Sequence, residues 1–116
     1  LGINVTVPER FELINRSWKV VWLTDTKEQE LLKKVHEAEP DEPPPSGLYG
    51  YCDVEHATIY LKRSKDRDHL MHTFLHEWGH AYAAATGLRV PDEEAFVESL
   101  SGCMHQWLKS KEGTLK

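Results

Sequence analysis

Between His72 and His80 the chain reads His-Thr-Phe-Leu-His-Glu-Trp-Gly-His, which contains the pattern His-Glu-x-x-His at His76, Glu77 and His80. On a helix, residues four apart stand one turn above each other. His76 and His80 then project their imidazoles from one face, at a separation that one tetrahedral zinc ion (Zn2+) spans. Glu77 points about a quarter turn away. From there it cannot complete the same tetrahedron, but it can reach a water attached to the metal. The three residues take different jobs: His76 and His80 as metal ligands, Glu77 as the general base of a hydrolase.

A catalytic zinc takes three protein ligands and keeps a fourth position for water. The last apolar segment offers Glu94, Glu98, Ser101 and His105 at spacings of four, three and four, a polar stripe beside an apolar face. Glu94 is the expected third ligand, because it stands in the first turn, beside the short connection 88–91 that ties this segment to the histidines. Glu98, one turn on, is expected to accept the free ring N–H of a ligating histidine, with direct ligation as its alternative role. Asp92 and Glu93 are expected to cap the helix and favour its positive end. A developing oxyanion needs a donor besides the metal. His105, His72 and one of Tyr49, Tyr51, Tyr60 or Tyr82 are the candidates, and the sequence does not choose among them. His72 is also four residues from His76, which makes it an alternative ligand; His69 and His72 otherwise read as solvent-facing.

The stretch Thr-Phe-Leu-His-Glu-Trp-Gly-His-Ala at 73–81, followed by Asp-Glu-Glu-Ala-Phe-Val-Glu-Ser-Leu at 92–100, resembles the small HExxH metallopeptidases of the gluzincin group, particularly the phage and bacterial ImmA/IrrE-like and SprT-like minimal domains. The likeness covers roughly residues 47–110. It implies a minimal zincin-like fold and a zinc-dependent peptidase, with an edge strand, here placed at 58–61, that pairs with an extended protein or peptide substrate. In that group the ligand Glu is followed four residues later by a carboxylate that supports a histidine, a spacing that Glu94 and Glu98 match. The stretch between His80 and Glu94 is shorter than in the large gluzincins. Two rival readings stand beside this one: a non-catalytic regulatory or phage protein-interaction domain that keeps the metal as a staple, and an enzyme acting on a non-peptide amide or ester.

The rest of the chain must hold these residues in place. Its 116 residues, 40% of them hydrophobic, make one small globular domain with a thin core, which a bound metal would help to stabilise. The 14 Lys+Arg against 19 Asp+Glu leave a net charge of -5, which argues against a nucleic-acid partner. The basic run at 62–67 reads as a solvated loop. Neither an 18-residue apolar run nor a basic-then-apolar leader is present, so no membrane span or secretory signal is expected. Cys52 and Cys103 are too far apart for a zinc knuckle, and reduced thiols point to a cytoplasmic location.

Residues 1–17 read as an arm, partly helical. Residues 19–23 read as a strand, and 27–38 as a helix capped by Thr24 or Asp25, with Leu31, Leu32 and Val35 on one stripe. The proline-rich stretch 39–47 reads as a stiff linker. Residues 48–52 and 57–61 make a hairpin. A helix follows over 68–86, with Met71, Leu75, Trp78, Tyr82 and Ala85 on its apolar face and Gly87 as its left-handed cap. The last helix starts at the Asp92 cap and runs to Gly113. Segment 1–46 is thus an N-terminal strand, helix and linker of the same domain, and 47–116 is the metallopeptidase core. The expected class is α+β, with a three-stranded sheet packed on the HExxH helix and the glutamate-bearing helix. The four tryptophans and two cysteines are expected in the core.

Overall fold

The computed structural model describes residues 7–43 and 45–110. Its elements run β1 (Arg10–Leu13), β2 (Arg16–Trp22), α1 (Asp25–Ala38), β3 (Gly50–Asp53), β4 (Thr58–Leu61), α2 (Arg67–Thr86) and α3 (Glu93–Ser110). The class is α+β, but the sheet has four strands rather than three, in the order β1-β2-β4-β3. The additional strand is β1, which lies in the segment expected to be an arm. Its alternation is half hidden: Phe11 and Leu13 turn inward while Arg10 and Glu12 face water, as an edge strand permits. Residues 1–6 of that arm, and the expected stop at Gly113, lie outside the described residues.

β1 and β2 pair antiparallel, as do β3 and β4, while β2 and β4 run parallel. Thr58–Leu61 is therefore an interior strand, hydrogen-bonded on both sides, and not the edge expected from sequence. The free edge beside α2 belongs to β3. Alternation along β4 sorts its two faces. Ile59 and Leu61, wholly buried, pack with Trp18, Met71, Phe74 and Leu75 in the core under α2. Tyr60 faces the other way and carries the ammonium of Lys27 over its ring at 5.4 Å, which puts α1 on that side. Trp18 is in the core as expected. Trp22 and Trp107 are not, and Trp107 is 58% exposed on the outer side of α3.

α2 is capped at both ends by the residues its chemistry calls for. The Asp66 carboxylate accepts the His69 N–H, and Gly87, at φ 68°, ends the helix in the left-handed conformation. No helix among the described residues is long and apolar enough to cross a membrane.

α1 fixes the approach to the site through one carboxylate. Glu28 Oε2 accepts the Leu48 N–H at 2.9 Å and the Lys62 ammonium at 3.1 Å, which anchors the chain just before β3. The Leu48 hydrogen bond first, then Lys62, hold the Glu28 carboxyl below its ordinary range against the opposing effect of burial. A carboxylate depressed in the folded state contributes its full stability above the unfolded value and loses it as pH falls through the folded one. Thermal midpoints should therefore drop more steeply on acidification in the parent than in a Glu28→Gln variant, which should be less stable at neutral pH; parallel profiles would refute this role.

Candidate metal centre

α2 and α3 form an antiparallel hairpin of helices, and a glycine sets how near they come. A Cβ on Gly79 would lie 2.9 Å from Val97 Cγ1, inside the contact distance of real carbon atoms, and Val97 is fully buried. Gly79 is the second of the pattern's two variable residues, so the helix contact sits between the two histidines. A Gly79→Ala change should push α3 outward, cost about 1–3 kcal/mol of stability and weaken metal binding measured by titration. Unchanged affinity would show that the close approach does not position the carboxylates.

Beside this contact, on the same side of α2, His76 and His80 stand with ring centroids 5.1 Å apart. The first turns of α3 bring Glu94 between them, 3.3 Å from His76 Nε2 and 2.8 Å from His80 Nε2. One ligand atom from each of the three residues lies within 4.8 Å of the others. A tetrahedral zinc with bonds of about 2.0–2.1 Å holds its ligand atoms roughly 3.4 Å apart, so the donor set and its spacing fit such an ion. The Glu94 side chain is 71% exposed, which leaves the cluster open to water.

The other nitrogen of each ring is also held. His76 Nδ1 lies 2.9 Å from Glu98 Oε2, and His80 Nδ1 lies 2.7 Å from Glu93 Oε2. An Nδ1–H donating to a carboxylate leaves the Nε2 lone pair free, and both Nε2 atoms face Glu94. Burial pushes the His80 pKa down, but the Glu93 hydrogen bond and the charges of Glu94, Glu77 and Glu93 outweigh it, and the net shift is upward.

Glu98 thus sits where the spacing put it, against a histidine. Glu93 does not act as the expected cap; Asp92 alone does that, accepting the Ala95 N–H at 3.1 Å. The antiparallel register was the available signal for Glu93. Residues nearer the connection meet residues nearer the connection, so His80 meets Glu93 while His76 meets Glu98. Replacing Glu93 or Glu98 by Gln should each weaken metal affinity by about 10–100-fold, read by competition with a chromophoric chelator. Affinity within twofold of the parent would remove the supporting role.

The same register carries His105 away from the site. It lies against His72, ring centroids 5.4 Å apart, and 4.0 Å from Asp68. Burial, then the neighbouring His72, push its pKa down. It lines neither of the cavities beside Glu77, so it is not placed to meet an oxyanion.

Those cavities flank Glu77 on either side. One of about 430 Å³ reaches Tyr51, Cys52, His80, Glu93 and Glu94; the other, about 300 Å³, reaches Tyr49, His69, His72 and Glu98. Gly50, His76 and Glu77 line both. A Cβ on Gly50 would lie 2.8 Å from Thr73 and 3.1 Å from Glu77 Cγ, so glycine lets the β3 edge lie directly on the Glu77 face of α2. Burial raises the Glu77 pKa, with Glu94 adding to it, against the lowering charges of His76 and His80.

Of the other candidates, His72, Tyr49 and Tyr51 line these cavities. Tyr60 faces α1, and Tyr82 stacks on Trp78 at 5.6 Å. His72 Nε2 lies 3.4 Å from Glu98 Oε1, and His72 is not part of the ligand cluster. Cys52 packs against the core and also lines the cavity wall, while Cys103 is exposed rather than in the core. Burial first, then the charges of Glu77, Asp53 and Glu93, push the Cys52 thiol up to about 12, so it offers no thiolate nucleophile. The chain matches no family model, no curated protein and no solved structure.

Proposed function

We propose that this chain is a zinc-dependent metallopeptidase, with His76, His80 and Glu94 as its metal ligands and Glu77 as its general base. The observation that carries the reading is the pair of oriented imidazoles: both Nε2 atoms face one carboxylate while both Nδ1 atoms are held by two others. Two imidazoles and a glutamate are the ligand set of catalytic zinc sites that keep a position for water. Lone surface histidines have no need of three carboxylates. The likeness to small HExxH metallopeptidases adds to this reading, and no other comparison bears on it.

When bound, zinc acidifies an attached water and polarises a carbonyl oxygen. Glu77 takes the proton of the attacking water and delivers it to the departing amine. Glu98 and Glu93 keep the two rings in one tautomer and orientation throughout. β3, whose outer edge is unpaired among the described residues, offers N–H and C=O groups to an extended substrate, the role that the family resemblance implies for 58–61. His72 and Tyr49, in the cavity on the Glu98 side, and Tyr51, in the other, are the candidate donors for a developing oxyanion.

The experiment that tests the reading is hydrolysis of an unfolded protein, such as casein, by the zinc-loaded chain and by its Glu77→Gln variant. Cleavage abolished by the variant supports the peptidase. Metal binding without cleavage in either protein would favour the rival, a domain in which the ion only staples α3 to α2.

A further inference from the structure

A third cavity, of about 370 Å³, lies beyond the metal centre where the β1–β2 turn meets the end of β3. Val54 and Ala84 line both it and the 430 Å³ cavity that Glu77 lines, so the two share a wall. We propose that the substrate cleft continues into this cavity, and that it takes an apolar side chain of the same polypeptide four or five residues from the bond that is cut. The inference rests on the peptidase reading and adds a selectivity to it.

The distance follows from the β3 edge. Val54 stands four residues beyond Gly50, the residue lying against Glu77, and an extended chain covers about 13 Å in that many steps. A strand paired along β3 over Glu77 therefore reaches the third cavity at its fourth or fifth residue. The walls set the chemistry. Leu13, Ile14, Trp18, Val54, Ala84 and Ala85 are apolar, with Asn15 the one uncharged polar side chain among them, and Ile14 and Val54 are among the large hydrophobic side chains the protein leaves exposed. The one charged lining residue, Arg16, is already engaged: it donates to the Glu55 carbonyl at 2.8 Å and lies over the Trp18 ring.

The metal centre, by contrast, is surrounded by Glu77, Glu93, Glu94 and Glu98. The two ends of the cleft thus differ in character, one acidic and one apolar. Ile14 adds a second mark. It is 64% exposed with φ 56°, a conformation that a β-branched residue rarely adopts and that surface exposure alone would not retain.

The test uses fluorescein-labelled decapeptides of otherwise constant sequence, with Leu or Asp moved through each position. Binding to the zinc-loaded Glu77→Gln protein is read by anisotropy, and cleavage by the zinc-loaded parent by mass spectrometry. Leu four or five residues from the cleaved bond should bind roughly tenfold more tightly than Asp there. The preference should vanish in Ile14→Asp, which puts a charge into the cavity at a position that tolerates Asp, and in Ala84→Phe, which places a bulky ring where the two cavities meet. A preference that survives both variants, or binding indifferent to that residue, would overturn the inference. Leu-dependent binding without any cleavage by the parent would instead uphold the cavity and sink the peptidase reading.

Discussion

The Glu77→Gln protein is expected to lose about 10²–10⁴-fold in kcat while keeping its fold and its metal. Gln preserves the size of the side chain between Gly50 and the two histidines, so the helix and the β3 edge have no reason to move. What it removes is a proton acceptor at the common wall of two cavities. Glu77 is not part of the ligand cluster, so affinity for zinc should stay within a few fold of the parent. A variant that lost its metal would make Glu77 a ligand; one that kept its turnover would place the base elsewhere. KM should change little, because the missing group acts on the attacking water rather than on the bound chain.

The second large effect concerns stability. At a zinc concentration a hundredfold above its Kd, the ion should add about 2.7 kcal/mol, which for a chain of this size raises Tm on the order of 10 °C. The gain is local in origin: the ion would join α2 to the first turn of α3. Without it, four carboxylates, Glu77, Glu93, Glu94 and Glu98, crowd two half-buried imidazoles. Chelation by EDTA should reverse the shift, and His80→Ala should abolish it. A Tm that rises with zinc equally in His80→Ala would assign the stabilisation to another site.

The parts of the fold that could be read from the chain are those whose signal is local. α2 is long, has a 3.6-residue apolar period, and ends at a glycine that takes the left-handed conformation. The β3–β4 hairpin likewise has both strands and turn in consecutive residues. β1 was missed because Pro8 and the charges of Glu9, Arg10 and Glu12 hide an alternation that only its pairing with β2 makes visible. The parallel pairing of β2 with β4 joins strands some forty residues apart, and nothing in either segment names the other. The strength of 58–61 as a strand was itself the clue to its interior place, since Thr-Ile-Tyr-Leu suits a strand covered on both faces better than an edge.

The site divides the same way. His76, Glu77 and His80 share one helical turn, and their mutual placement follows from helix geometry alone. Glu94 and Glu98 needed one further assumption, that a short connection folds α3 back on α2. Glu93 needed the register of that hairpin, which depends on how closely Gly79 lets Val97 approach, and that is a property of packing rather than of spacing. His105 was misplaced for the same reason: its position on the polar stripe was right, but the register sets it three turns down α3 from Glu94, against His72.

The central claim is that two imidazoles and one carboxylate, from two helices, hold a single ion. Elemental analysis of the purified chain, alongside its His76→Ala, His80→Ala and Glu94→Ala variants after dialysis against equimolar zinc, tests it most directly. One equivalent of zinc in the parent and well under half an equivalent in each variant is the predicted result. A parent without zinc, or a Glu94→Ala protein that keeps its full equivalent while Glu98→Ala loses it, would contradict the account.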